Sequence, residues 1–185
     1  MNLSTIILAA GQGTRMKSNK PKVLHEVAGL PLVEHVIRLS EAVSENQPIV
    51  VIGHGADEVK DSLSHLKVDF VLQTEQLGTG HAVMMAREFI QKESSVLVLY
   101  GDTPLIREKT ILEFVDRHKA NDNQLSVLSM QLNDPTGYGR ILRGDDGRLS
   151  GIKEHKDADD IQRGINEVNS GIYLIDGERL LEHID

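Results

Sequence analysis

Thr5-Ile6-Ile7-Leu8-Ala9-Ala10-Gly11-Gln12-Gly13-Thr14-Arg15-Met16 is the stretch on which the reading of the whole chain turns. Its first half is apolar and β-branched, which predicts a strand buried on both faces, as in a parallel sheet. Its second half becomes polar and glycine-bearing at once. Two glycines let the backbone approach a ligand and aim N–H groups at phosphate oxygens. Arg15, Lys17, Lys20 and Lys22 then follow with no acid between them, in a chain whose net charge is −8. That run predicts the local positive patch a triphosphate needs. Gly-x-Gly by itself fits a solvated basic loop better; the full run through Pro21-Lys22 reverses that preference.

Two commoner glycine loops do not fit. A dinucleotide fingerprint would place glycine where Met16 stands and an acid at the end of the second strand, which here reads Ile52-Gly53. A P-loop needs glycine followed by lysine and a hydroxyl residue, and that triplet does not occur.

Outward from this loop, apolar runs alternate with helical patterns, the arrangement of a mostly parallel sheet wrapped by helices. Pro31 opens a helix running to about Val43, and Pro48 to Ile52 is a second strand. Gly53-His54-Gly55 turns into a helix near Glu58 to Leu66. Val68 to Leu72 is a third strand, after which Thr79 caps a helix reaching about Ile90. Val96 to Tyr100 is a fourth strand and Lys109 to Lys119 a helix. The pattern then changes. Leu125 to Met130 is a strand, Arg140 to Leu142 and Leu149 to Ile152 pair as a hairpin around Asp146-Gly147, and Val168 to Ile175 is a further strand. The fold class is therefore α/β, Rossmann-like, with an antiparallel hairpin-bearing second half. Ligands in such sheets sit where the strands end at their carboxyl edge. The unusual residues fall there: after Ala10, after Leu72, after Leu99 and around Asn169.

At 185 residues, 39% hydrophobic and 26% charged, the chain suits one globular domain, residues 1–185. Its negative charge argues against nucleic acid or an anionic membrane as a partner. The absence of cysteine removes disulfides, thiolate metal sites and cysteine nucleophiles, and fits a reducing cytoplasm. No export signal or membrane-inserting segment is read at the N-terminus. Glu178 to Asp185 reads as an amphipathic helix cut off without a cap or a tail, which suggests a truncated domain. The eight histidines form no cluster; His81 and His155 lie inside motifs and receive no chemical role, and the others read as surface or packing residues.

Leu8 to Met16 with Pro21-Lys22 resembles the signature of the sugar-phosphate nucleotidyltransferases. A narrower resemblance rests on Gln73 to Ala82, Tyr100 to Leu105, Asp134 to Ile141, Glu154 to Ala158 and Glu167 to Gly171, all in the family's order. Together they are similar to the N-terminal uridyltransferase domain of the bacterial bifunctional N-acetylglucosamine-1-phosphate uridyltransferases and glucosamine-1-phosphate acetyltransferases. The resemblance implies transfer of UMP from UTP to N-acetylglucosamine 1-phosphate, giving UDP-N-acetylglucosamine for the cell envelope. It also implies a cytoplasmic, homotrimeric parent whose acetyltransferase half, a left-handed β-helix carrying the trimer contacts, is absent from this chain.

Read residue by residue, Gln73 offers both a donor and an acceptor to uracil's imide edge, although a surface strand end is equally described by a glutamine. Gly78 and Thr79 open a helix whose free N–H groups can reach a base carbonyl or phosphate. Asp102 follows an apolar strand and suits either Mg²⁺, which prefers hard oxygen ligands, or a turn or helix cap. The resemblance implies Leu8, Ala9, Ala10 and Gly11 at the nucleoside and phosphate, and Gln73, Gly78 and Thr79 at the uridine. It implies Tyr100 and Gly101 lining the nucleotide–sugar site, Asp102 as metal ligand, and Gly137, Glu154 and Asn169 at the N-acetylglucosamine. Arg15 and Lys22 are the catalytic pair it implies, with a second metal-binding residue, an asparagine, from beyond Asp185. Two rivals stand beside this reading: a nucleotidyltransferase for another sugar phosphate or base, and a sugar-nucleotide-binding module without turnover.

Overall fold

The computed structural model describes residues 2–13 and 16–184 and divides the chain into two compact units. The first takes in the chain through Ser126 together with the stretch from Tyr173; the second is Val127–Ile172.

The first unit is built on parallel strands. β1 (Asn2–Ala9) lies between β4 (Ile49–Ile52) and β6 (Ser94–Tyr100), and β5 (Asp69–Leu72) flanks β4, all parallel. Ile6, Ile7, Val50, Val51, Ile52, Leu97 and Leu99 have no exposed surface, as the unbroken apolar runs predict. Removing each such side chain from water contributes roughly 1.5–3 kcal/mol, so this centre holds the pocket-bearing edge in place. The last part of β10 (Glu167–Asp176) pairs with β6 antiparallel, from Tyr173 opposite Val98 to Asp176 opposite Ser95.

Helices cover the sheet. α1 (Leu32–Val43) follows Pro31, whose fixed φ of −53° suits the residue before a first turn. Val33 and Ile37, one turn apart, carry no exposed surface. Between the first loop and α1 lies a small hairpin, β2 (Glu26–Val27) with β3 (Leu30–Pro31), which two-residue strands do not announce in sequence. α2 (Ala56–Ser62) starts and stops earlier than the pattern predicts. Gly55, at φ 68°, supplies a left-handed N-cap, and the Ser64 hydroxyl donates to the Asp61 carbonyl at 2.8 Å, which competes with a further helical turn. α3 (Thr79–Met85) is likewise shorter, because Ala86 N–H donates to Val83 O and Phe89 N–H to Ala86 O, tightening the chain into a 3-10 turn. α4 (Glu108–Ala120) and α6 (Gly177–His183) complete the unit; Asp176 caps α6 by accepting from Arg179 N–H at 3.1 Å.

The second unit is antiparallel. β8 (Arg140–Arg143) and β9 (Leu149–Lys153) form the expected hairpin, and β10 pairs with β8 at Val168 and also with β7 (Leu125–Gln131). α5 (Asp160–Arg163) is held by a reciprocal cap between Asp159 and Gln162. No helix of the described residues is long and apolar enough to cross a membrane.

Candidate functional site

Four strand ends of the first unit are tied together at one cleft. Gly101 N–H donates to Leu8 O (2.9 Å), His54 N–H to Ala10 O (3.3 Å) and Gln73 N–H to Ile52 O (2.7 Å). The cleft, about 350 Å³, is lined by Leu8, Ala9, Ala10, Gly11, Gly13, Lys22, Val23, Gln73, Gln76, Gly78, Thr79, Ala82, Tyr100 and Asp102. Almost every first-unit residue singled out from sequence is therefore gathered in one place.

At one side, Lys22 Nζ forms an ion pair with Asp102 Oδ2, the side chains being 34% and 26% exposed. Lys22 is delivered by the 3-10 turn Lys22–Leu24, whose Val23 and Leu24 are buried. Gly13, at φ 60°, packs so close that a Cβ there would lie 2.6 Å from Lys22 Cβ, so the glycine loop and the lysine occupy one steric unit. Among the described residues Lys22 is the one basic side chain in the lining. Lys20, of the same basic run, pairs with Glu26 at 3.3 Å. Arg15 lies outside the described residues.

At the other side, Gln73 is 4% exposed. Its Nε2 donates to Gly78 O at 3.2 Å and lies 2.9 Å from His81 Nδ1. The amide that sequence reads as donor and acceptor together has its nitrogen turned to groups of the protein. Gln76 Nε2 donates to Ala10 O at 3.0 Å, which ties the two loops. Gln76 is a lining residue that sequence reading passed over, although it stands within the Gln73 to Ala82 motif. Thr79 does not cap α3. Gly78 takes that position with no side-chain bond, and the Thr79 hydroxyl lies 3.4 Å from the Tyr100 hydroxyl.

Among the described first-unit residues singled out from sequence, Gly101 is the exception. It does not line the cleft; a Cβ there would meet Ala9 Cβ and Val33 Cγ2, each at 3.3 Å. Its part is to let β6 and β1 close together beneath the pocket.

Within the second unit, Glu154 and Asn169 meet at Gly139. Asn169 N–H donates to Gly139 O at 2.8 Å, and a Cβ on Gly139 would lie 3.2 Å from Glu154 Oε1. Gly137, at φ 85°, is in the same loop. The buried guanidinium of Arg140 holds this corner, reaching Tyr138 O, His155 Nδ1 (3.2 Å) and Arg163 O (3.3 Å). Of the other histidines, His118 is buried against Ser126 Oγ at 2.8 Å. Burial holds its pKa below the ordinary value against the opposing pull of Asp176.

No group of three His, Cys, Asp or Glu side chains that could hold a metal occurs among the described residues. The donor set still suits Mg²⁺, which is commonly held through one or two carboxylates and completed by substrate phosphates. Asp102, a partly exposed carboxylate beside a glycine loop, is a side chain of that kind.

A glycine-loop cleft at the carboxyl edge of a parallel sheet, with one lysine and one aspartate facing each other, defines a nucleotide-binding α/β domain of the nucleotidyltransferase kind. The MobA-like NTP transferase domain model matches residues 5–163, and the chain belongs to that family. It is similar to the bifunctional protein GlmU of Clostridioides difficile (strain 630), 48% identical over 185 residues, covering all of this chain and 40% of that protein. GlmU of Alkaliphilus metalliredigens (strain QYMF) is 51% identical over 182 residues, covering 98% of this chain and 40% of that protein. The chain thus spans about 40% of the length of these curated relatives. Among solved structures, HddC from Yersinia pseudotuberculosis aligns with a TM-score of 0.73 at 26% identity, covering 99% of this chain and 80% of that one. Nucleotidyltransferases of this family generally use a divalent metal.

Proposed function

We propose that this chain is a uridyltransferase domain that transfers UMP from UTP to N-acetylglucosamine 1-phosphate, releasing pyrophosphate. The observation that carries the proposal is the single cleft joining the glycine loop, the Lys22–Asp102 pair and the buried Gln73 amide. The similarity to GlmU across the whole chain supports the same substrates.

In the reaction, an oxygen of the sugar's 1-phosphate attacks the α-phosphorus in line, a P–O bond forms, and the bond to the β-phosphate oxygen breaks. No covalent enzyme intermediate is needed, so positioning and charge compensation carry the rate. Leu8 to Gly11 hold the nucleoside and α-phosphate by backbone. Lys22 leaves Asp102 for the phosphates and offsets the charge that builds there, while Arg15 offsets that of the departing pyrophosphate. Asp102, so released, holds Mg²⁺. A divalent metal held there would supply charge neutralisation for the phosphates. Gln73, Gly78 and Thr79 contact the uridine, with Tyr100 framing the nucleotide–sugar junction and Gly101 supporting it from beneath. Gly137 and Asn169 take the acetamido group through a backbone N–H and a side-chain amide, and the Glu154 carboxylate accepts from a sugar hydroxyl. The parent protein is a cytoplasmic homotrimer that also carries acetyltransferase activity.

The test is a thermal-shift panel. UDP-N-acetylglucosamine stabilises the chain more than GDP-mannose does; a ligand at a hundred times its dissociation constant contributes about 2.7 kcal/mol. Equal shifts with the two nucleotide sugars would remove the uridine assignment.

A further inference from the structure

Gln73 is 4% exposed yet lines the cleft, and both hydrogens of its amide are used inside the protein. Nε2 sits 3.2 Å from Gly78 O and 2.9 Å from His81 Nδ1. A backbone carbonyl can only accept, so Gly78 fixes the nitrogen, not the oxygen, on that side. The amide nitrogen in turn can only donate. His81 Nδ1 therefore accepts, and the ring carries its proton on Nε2. Oε1 is left over, and among the described residues no donor reaches it.

We infer that His81 is a specificity-determining positioning residue: it holds the second amide hydrogen of Gln73, so that the cleft sees only an acceptor and selects a base with a ring N–H there. This rests on the uridine reading above. Uracil presents N3–H to such an oxygen, whereas cytosine presents a lone pair at N3, which leaves two acceptors facing each other. Thymine has the same imide edge as uracil and is not told apart by this device. Without the His81 acceptor, one hydrogen bond instead of two resists a half-turn of the amide. That half-turn would point N–H donors into the cleft and suit cytosine.

The experiment measures binding of UTP and of CTP by calorimetry to the full chain, to His81→Leu and to His81→Asn. Asparagine can place Oδ1 where Nδ1 lies, so it restores the acceptor without the ring. The wild type prefers UTP, His81→Leu loses about tenfold of the UTP-over-CTP ratio, the worth of one hydrogen bond, and His81→Asn regains most of it. A purely structural role would weaken both nucleotides alike; an unchanged ratio in His81→Leu, with the wild type still preferring UTP, overturns the role of His81 alone. No preference in the wild type overturns the uridine reading and this inference with it. Should His81→Leu fail to fold, ¹⁵N spectra of the wild type decide the matter at a pH where imidazole is neutral. A bare Nδ1 with the Gln73 side-chain protons shielded from solvent exchange supports the assignment, and a proton on Nδ1 overturns it.

Discussion

Two ion pairs, one in each unit, are built from similar charges and held very differently. In the cleft, Lys22 meets Asp102 through one ammonium and one carboxylate oxygen. In the hairpin unit, Arg143 grips Glu167 with Nε at 2.8 Å and Nη2 at 2.5 Å, and Ser129 Oγ donates to the same carboxylate at 2.6 Å. A planar guanidinium fixes a carboxylate in one orientation, while an ammonium on a flexible stem acts as a movable point charge. The first pair can therefore exchange partners cheaply, and the second cannot. Where a protein must hand charge to a ligand, it keeps the grip loose.

The largest effect expected from that contrast is kinetic. Lys22→Ala lowers kcat by on the order of a hundredfold or more, yet changes unfolding free energy by less than about 1 kcal/mol, since a partly exposed pair contributes little to stability. Steady-state rates and urea denaturation of the same preparation check both halves; comparable losses in both would make the pair a structural one. Arg143→Ala inverts the pattern. It leaves the Glu167 carboxylate, 15% exposed, with Ser129 alone, and costs about 1–2 kcal/mol of stability without moving the UTP dissociation constant. A chain that unfolds as late as the wild type would show that the fork adds nothing.

The smallest effect is a pH dependence. The hydrogen bonds from Arg143 hold the Glu167 carboxyl below its ordinary value, aided by Ser129 and opposed by burial. A carboxyl lowered in the folded state binds protons more readily when unfolded, so its contribution is complete at neutral pH. That contribution fades as pH falls below the unfolded value of about 4.3 and through the folded one. Glu167→Gln is consequently less stable than the wild type at pH 7, and the gap narrows in acid. A gap that stays constant down to pH 3 would mean that the Glu167 charge is not what the fork secures.

How much of this could be seen in sequence depends on the range of the contacts. Unbroken apolar runs such as Val96 to Leu99 identify strands covered on both faces, and the glycine loop marks the edge where ligands gather. The hairpin of Glu26–Val27 with Leu30–Pro31 is too short for any alternation to register. A hydroxyl at a helix start is the commoner cap, so the sequence points to Thr79, whereas here Gly78 takes that position and the Thr79 hydroxyl lies beside that of Tyr100. His81 gave no signal, since its partner Gln73 stands eight positions away on a different element. Gly101 stands out in sequence only by its place in a motif, while its neighbours, Ala9 and Val33, come from elsewhere in the chain.

Pro21 and Lys22 are wedged between two left-handed glycines. A Cβ on Gly13 would strike Lys22 Cβ at 2.6 Å, and one on Gly55 would collide with Pro21 Cγ. Gly55 does not line the cleft, so screening for ligand contacts would pass it by. It is nonetheless coupled to the lysine: a methyl group placed there would push the Pro21-Lys22 step aside. A position that touches nothing chemical thus reaches the cleft by way of the turn that carries Lys22.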